Sequence, residues 1–344
     1  MTQLPNSMIL AGDIGGTNTR LGLFDPVRPR PRRRTFRVFP TLDFPDLTSM
    51  IAAFLDAEAI DRGAIDRACF GVAGPVVEDA ATLTNVPWRV DGREVANAFG
   101  LARVRVLNDL EAMAYSVPVL EDAEVYTLQK GTPIRSGNIS LLAAGTGLGI
   151  ALLHQVDGRF VPSPSEGGHA DFSARTDREV ALLRDLTARF GRAEVEQVLS
   201  GPGIVNIHRV AHRAACAAGI DPGDPDAPAE ITRAALERRC DGCVETLEIF
   251  VEAYGAEAGN LALGTVATAG TYIGGGIAPK ILPALTSGAF LKAFCAKAPF
   301  EQMMESMPVK VILNADAGLL GAAVFGADLC RPPDTNDSER TPAT

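Results

Sequence analysis

The stretch Met8-Ile9-Leu10-Ala11-Gly12-Asp13-Ile14-Gly15-Gly16-Thr17-Asn18-Thr19-Arg20-Leu21-Gly22-Leu23-Phe24 decides the fold. Met8–Ala11 is a short apolar run suited to a buried strand, Gly12–Asn18 is a glycine-rich turn, and Thr19–Phe24 reads as a second strand closed by Asp25-Pro26. The order is strand, glycine turn, strand. A dinucleotide-binding fold or a P-loop places a helix directly after its glycines, and no Gly-x-x-x-x-Gly-Lys-Ser/Thr occurs in the chain. Glycines let the backbone approach a phosphate closely and their N–H groups form an anion-binding nest, to which Thr17 and Asn18 add side-chain donors. Phosphate would repel Asp13 unless a divalent cation lay between them, which makes Asp13 a candidate Mg²⁺ partner through water. Taken alone, the stretch is equally compatible with a plain hairpin turn.

The arrangement recurs in mid-chain. Ile139–Ala143 is apolar, Gly145-Thr146-Gly147-Leu148-Gly149 is the turn, Ile150–Leu153 is the next strand, and Asp157-Gly158 reads as a hairpin turn before Arg159-Phe160-Val161. Two copies of one supersecondary unit predict a duplicated architecture with a cleft between lobes, in which two glycine loops clamp a polyphosphate. Around them, helical spacing over Leu47–Ala59, Asp177–Phe190, Ala193–Leu199, Ala229–Arg238 and Val244–Leu263 alternates with strand-like Ala68–Ala73 and Val104–Leu107. That alternation argues for α/β layers.

The chain is 344 residues, long enough for two domains each with its own core, and its formal charge is −10. An acidic balance disfavours broad contact with nucleic acid or anionic membrane, but not a small anion held by backbone donors. Six scattered cysteines in a chain of this length imply no disulfide framework. Met1–Leu10 lacks a basic segment followed by a long apolar one, so no secretory signal is expected. The uncharged stretch between Glu257 and Lys280 is long enough to span a bilayer, but its six glycines fit a helix, a buried strand and a turn better. A soluble cytoplasmic protein is expected. Arg331–Thr344 reads as a disordered tail, and the basic run Arg28–Arg37 as an exposed hairpin loop between edge strands.

Several residues carry candidate chemistry. Gly274-Gly275-Gly276 follows strand-like Thr271-Tyr272-Ile273 and suits either a flat purine-binding surface or tight strand–helix packing, with Pro279 placed for the first turn of a helix. Asn108-Asp109 follows a strand, where ligands collect in α/β sheets; from this pair alone, capping of a helix beginning near Leu110 is the simpler reading. Glu166-Gly167-Gly168-His169 places an acceptor and a switchable donor/acceptor three residues apart in a proline- and glycine-rich loop, suited to vicinal sugar hydroxyls. Glu196, read singly, is a surface glutamate. Cys240-Asp241-Gly242-Cys243 offers half a zinc site, with no second pair or suitably spaced histidine after it.

Gly12–Asn18, Asn108-Asp109, Ala144–Gly149, Glu166–His169, Leu199-Ser200-Gly201-Pro202-Gly203 and Gly274–Ile277 occur in the order seen in bacterial glucokinases. From about Ile9 to about Phe325 the chain resembles the ATP-dependent, hexokinase-like glucokinase family, within the superfamily of sugar kinases, actin and heat-shock ATPases. The resemblance implies duplicated ribonuclease-H-like lobes with an interdomain cleft: a small lobe of 1–119 plus about 310–330, and a large lobe of 120–309. It implies that Gly12, Asp13, Ile14, Gly15, Gly16 and Thr17 form the first phosphate loop, and Gly145, Thr146 and Gly147 the second. Gly274, Gly275 and Gly276 would lie by the adenosine. Asn108, Asp109, Glu166, His169 and Glu196 would bind glucose, with Asp109 the catalytic base at its C6 hydroxyl. ATP and Mg²⁺ are the implied cofactors, and a homodimer the implied assembly. The zinc-binding cysteine cluster of the related ROK kinases is absent after His169, where Asp171-Phe172-Ser173 stands instead, so no zinc is expected. A kinase of another hexose, a sugar-sensing regulator without catalysis, and an ATPase of the actin or heat-shock type are the rival readings.

Overall fold

The structure is a computed structural model that describes residues 7–83, 86–212 and 215–329; the expected tail lies outside them. The chain divides into two units, Met1–Val119 with Asp316–Thr344, and Leu120–Ala315.

The first unit begins with β1 (Met8–Ile14), β2 (Asn18–Asp25) and β3 (Arg32–Pro40), followed by α1 (Leu47–Ala57), β4 (Ile65–Val72), a small ribbon of β5 (Ala80–Thr82) and β6 (Arg89–Asp91), α2 (Gly92–Phe99), β7 (Arg103–Asn108) and α3 (Asp109–Ser116). Its main sheet runs β3-β2-β1-β4-β7. Pairing is antiparallel between β1 and β2 and between β2 and β3, and parallel from β1 to β4 and from β4 to β7. Alternation along β1 sends Met8, Leu10 and Ile14 into a core with Met50, Ile51 and Phe54 of α1, while Ile9 and Ala11 face the opposite side. The helix starts are written locally: Asp46 caps α1 through Ser49 N, and Asn108 caps α3.

The second unit holds β8 (Val125–Gln129), β9 (Ile139–Ala144), β10 (Leu148–Val156), β11 (Arg159–Ser165), α4 (Asp177–Phe190), α5 (Gly201–Ala211), α6 (Ala227–Leu236), α7 (Asp241–Thr265), β12 (Gly270–Gly274), α8 (Leu282–Leu285), α9 (Ala289–Cys295), α10 (Glu301–Ser306) and β13 (Val309–Ile312). Its sheet runs β11-β10-β9-β12-β13-β8. The first five positions repeat the order and pairing senses of the first sheet, with β8 added antiparallel at the edge. Every residue of β9, the strand between antiparallel β10 and parallel β12, is buried, so both faces of the sheet are covered there. α11 (Ala317–Asp328) then returns to the first unit, where Leu319, Ala322, Ala323 and Ala327 cover Ile9, Ala11, Cys69 and Leu107. The chain re-enters that unit at Asp316, later than the expected 310, because β13 pairs with β12 and β8 inside the second unit.

Three local expectations are corrected. Ala193–Leu199 is not a helix: Val195 N and Glu196 N donate to Ala170 O and Gly168 O, at 2.9 Å each, and this long-range pairing lays the start of the segment extended along the loop after β11, leaving only turns before Leu199. Pro279 lies in a run of turns, and the helix begins instead at Leu282 with Pro283 in its first turn. The basic run is not a loop throughout, because Arg32–Pro40 is edge strand β3. Its arginines are matched by acids: Arg32 and Arg34 with Asp25, Arg33 with Asp316, Arg37 with Glu58 and Arg28 with Asp328. Among the described helices none is long and apolar enough to cross a membrane.

Candidate active site

In the first unit, the turn between β1 and β2 is closed by Gly15 N donating to Asn18 O at 3.1 Å. Thr41, just after β3, braces it: its backbone N donates to Thr17 O and its hydroxyl to Gly15 O. Thr17 and Asn18 are exposed at the tip. Asp13, one residue before the end of β1, is half-buried, and Arg20 reaches it only at 3.4 Å. Burial pushes the Asp13 carboxyl above the ordinary carboxylate range, Arg20 opposes this, and Asp316 adds to the rise. Gly318 in the first turn of α11 faces that carboxylate, and a Cβ there would lie 3.2 Å from it. An acid raised by burial and a second carboxylate is one that a divalent cation would relieve, so these residues fit a Mg²⁺ ion.

Asn108 ends β7 and its side chain is engaged within the protein. Its Oδ1 accepts from Leu110 N at 2.9 Å and Glu111 N at 3.3 Å, and its Nδ2 donates to Gly74 O at 3.2 Å. Capping is therefore what Asn108 visibly does. Asp109 opens α3, half-exposed, with Oδ1 accepting from Leu110 N at 2.8 Å. A carboxylate at a helix N-terminus is stabilised by the unpaired amides of the first turn.

In the second unit, the turn between β9 and β10 is a compact loop in which Gly145 N donates to Gly147 O at 2.8 Å. Glu196 is not a bystander on the surface. Its carboxylate accepts from Leu148 N at 2.8 Å, and a Cβ on Gly147 would lie 2.7 Å from it. Gly145 O accepts from Gly201 N, the first residue of α5, whose cap is the Ser200 hydroxyl. Gly275 adopts φ +84, and a Cβ there would sit 2.2 Å from Ala144 O; the glycine thus lets the turn after β12 lie directly on the base of the loop. Tyr254 of α7, fully buried, joins these pieces, its hydroxyl accepting from Ala144 N at 3.3 Å and lying 3.4 Å from Leu142 O and Gly274 O.

A cavity of about 1180 Å³ opens beside this loop, lined by Gly145, Thr146, Pro202, Asn206, Gly276 and Lys280 among others, with Ile204, Val205 and Ile281 as apolar wall. That volume is ample for a nucleoside with room to spare, and its mostly apolar wall with a few polar groups is the make-up of small-molecule sites.

Glu166 and His169 lie on the exposed loop after β11, Glu166 just before and His169 at the end of a single turn, Gly167–His169. Glu194 aims the imidazole: its Oε2 is 2.8 Å from His169 Nδ1. That hydrogen bond raises the His169 pKa; burial opposes it, and the negative charges of Glu196, Glu194 and Glu166 add to the rise. Arg192 binds Glu194, Asp171 and His169 O, fixing the group. Glu166, His169 and Glu196 are therefore brought together, and Glu194, Arg192 and Tyr254 are the contributors that sequence reading missed. Glu194 carried a weak signal, two residues from Glu196; Tyr254 carried none, since two of its three partners are 110 and 112 residues away and the third is 20.

Cys240 and Cys243 also have partners upstream: His208, His212 and Cys216 precede them in sequence and meet them in space. The expectation of no zinc then rests only on the missing cluster after His169, not on a lack of partners for Cys240 and Cys243.

Glycine turns set between strands in two sheets of matching order, one of them beside a large, mostly apolar cavity, carry the marks of a phosphoryl-transfer enzyme, and comparison with known proteins makes the class that of hexose kinases. The chain belongs to the glucokinase family, whose model matches residues 10–329. The glucokinase of Nostoc punctiforme is 37% identical over 342 residues, covering 94% of this chain and 100% of that one. The crystal structure of a glucokinase from an Antarctic psychrotroph is similar at TM-score 0.82 and 31% identity, over 94% of this chain and 99% of that one. A ROK family glucokinase from Streptomyces griseus, solved in complex with glucose and AMPPNP, shares the fold at TM-score 0.62 and 22% identity, over 94% and 100%.

Proposed function

We propose that the chain transfers the γ-phosphoryl group of ATP to the C6 hydroxyl of glucose, with Asp109 as general base, on the ATP-dependent, hexokinase-like plan of duplicated ribonuclease-H-like lobes. The observation that carries the nucleotide half is the Gly145–Gly147 loop held beside a cavity of about 1180 Å³. Backbone amides of that loop and of Gly12–Thr17 meet phosphate oxygens, and Gly274–Gly276 support the adenosine. Mg²⁺ held by Asp13 through water would neutralise phosphate charge when bound. Asp109 accepts the C6 hydroxyl proton as that oxygen attacks phosphorus in line. An ordinary carboxylate suffices, because the hydroxyl turns acidic only as the new bond forms. Glu166, His169 and Glu196 pair with the remaining hydroxyls, and Asn108 positions Asp109 by capping α3 in addition to offering its amide to the sugar. A site built to pair hydroxyls discriminates strongly, since a missing partner leaves polar groups unsatisfied. A homodimeric, cytoplasmic enzyme completes the reading.

Asp109→Ala should remove nearly all kcat while glucose binding, read by calorimetry, survives. Retention of more than about a tenth of wild-type kcat, a barrier change of only about 1.4 kcal/mol, refutes the base assignment. Sugar-dependent ADP release, compared across glucose, mannose, fructose and N-acetylglucosamine, tests the acceptor. ATP turnover without sugar would favour the ATPase reading instead.

A further inference from the structure

The second unit contains a cluster that phosphoryl transfer does not use. One ligand atom from each of His208, His212, Cys216 and Cys243 lies within 4.8 Å of the other three. Cys240 Sγ joins them, 3.2 Å from His212 Nε2 and 3.8 Å from Cys216 Sγ, and Cys216 Sγ is also 3.8 Å from Cys243 Sγ. Around a tetrahedral ion with sulfur at about 2.3 Å and nitrogen at about 2.0–2.1 Å, ligand atoms stand roughly 3.3–3.8 Å apart. The Cys216–Cys240 and Cys216–Cys243 sulfur separations already fall at that spacing.

Three independent features point to an occupant. His212 Nδ1 donates to His208 O at 3.0 Å, which turns Nε2 toward the thiols; this is the outer bond that orients metal-ligating imidazoles. His208 is 2% exposed, and neither ring nitrogen has a hydrogen-bond partner among the described residues, an arrangement that a ligand on the ring would relieve. Gly242 lies against the His212 ring, where a Cβ would come within 2.5 Å, so the Cys240–Cys243 turn is shaped around that imidazole. The two rings stack with centroids 3.7 Å apart, and Cys240 and Cys243 are both buried.

We propose that this cluster is a closed structural site for a thiophilic divalent cation of the zinc class, with His212, Cys216 and Cys243 as ligands and His208 or Cys240 completing the tetrahedron. Thiols and imidazoles, two of the group buried and two half-buried, select such an ion over Mg²⁺ or Ca²⁺, which prefer oxygen. The site is built from the end of α5 and the start of α7, not from the loop after His169. Its effect is to fasten those helix ends to each other, and α5 begins at the Gly145 loop while Arg209, near its end, lines the large cavity. An ion there holds one wall of that cavity without touching the reacting atoms.

The test uses the full chain, reduced and stripped with a chelator, then titrated with Co²⁺. One equivalent should produce thiolate-to-cobalt charge transfer and tetrahedral d–d bands, and Zn²⁺ should displace it. The protein as isolated under reducing conditions should carry about one zinc by mass spectrometry, and stripping should lower its melting temperature. Cys216→Ser with Cys243→Ser should abolish the cobalt spectrum, and Cys295→Ser should preserve it. Should those variants fail to fold, the wild-type titration still decides. Loss of charge-transfer intensity in Cys240→Ser identifies Cys240 as the fourth ligand, and a changed d–d envelope in His208→Ala identifies His208. Wild-type protein with free thiols and no cobalt bands overturns the proposal, as does a Cys216–Cys243 disulfide in freshly isolated, unstripped protein.

Discussion

Replacing Glu196 with alanine separates two accounts of that residue. As a sugar ligand alone, Glu196 would leave the fold and the nucleotide loop unaffected. The geometry gives it a second duty, since its carboxylate accepts from Leu148 N at 2.8 Å and stands against Gly147. A hydrogen bond to a charged acceptor contributes about 1.5–3 kcal/mol, and its loss orphans the amide of Leu148, itself 7% exposed. For a unit of this size, about 2–4 °C per kcal/mol translates that loss into a melting temperature roughly 3–12 °C lower. Glu196→Gln keeps an acceptor and loses the charge, so about 1 kcal/mol and roughly 2–4 °C should go. Because the loop also carries Thr146 and Gly147, the KM for ATP should rise about three- to tenfold in the alanine variant, equivalent to about 0.7–1.4 kcal/mol. Scanning fluorimetry and a coupled assay with each substrate varied in turn read both effects. A melting temperature within about 1 °C of wild type, with only the glucose KM altered, refutes the brace.

Other outcomes follow from the same contacts. In Glu194→Gln the largest cause of the raised His169 pKa is gone, so the midpoint of the His169 Hε1 resonance should move down toward about 6.5; an unmoved midpoint refutes the pairing. The sign follows from that raised value: the pair's stabilisation is full below about pH 6.5 and fades as pH climbs through the folded value, so the variant should lose stability in acid and little in base. Tyr254→Phe removes the hydroxyl shared by Ala144, Leu142 and Gly274 and should cost about 1 kcal/mol, read as a urea midpoint shift with unchanged slope.

Much of the scaffold was legible because the determinants are local. The apolar run Met8–Ala11, the glycines after it and the second run Thr19–Phe24 set strand, turn and strand with no distant help, and Ile139–Leu153 repeats the pattern. Asp177–Phe190 matched α4 to the residue because Thr176 and Glu179 form a capping box at its start. Ala193–Leu199 misled because its helical spacing is overruled by amides bonded to Ala170 and Gly168, a pairing that exists only once the loop after β11 is in place. The cysteine–histidine cluster was invisible for a related reason. Its members sit on the end of one helix, a connecting segment and the start of another, and three of them precede Cys240 by 24 to 32 residues, so only the fold brings them to it.

The return of α11 to the first unit has a consequence for how the chain is made. Synthesis runs from the N-terminus, so β1, β4 and β7 emerge long before residues 317–328. Until then the side carrying Ile9, Ala11, Cys69 and Leu107 lacks the cover of Leu319, Ala322 and Ala323. At about 5–20 residues per second, translating 120–315 takes roughly 10–40 s. Throughout that interval the nascent sheet presents an apolar face to water or to a chaperone, and the first unit to be translated is the last to be finished.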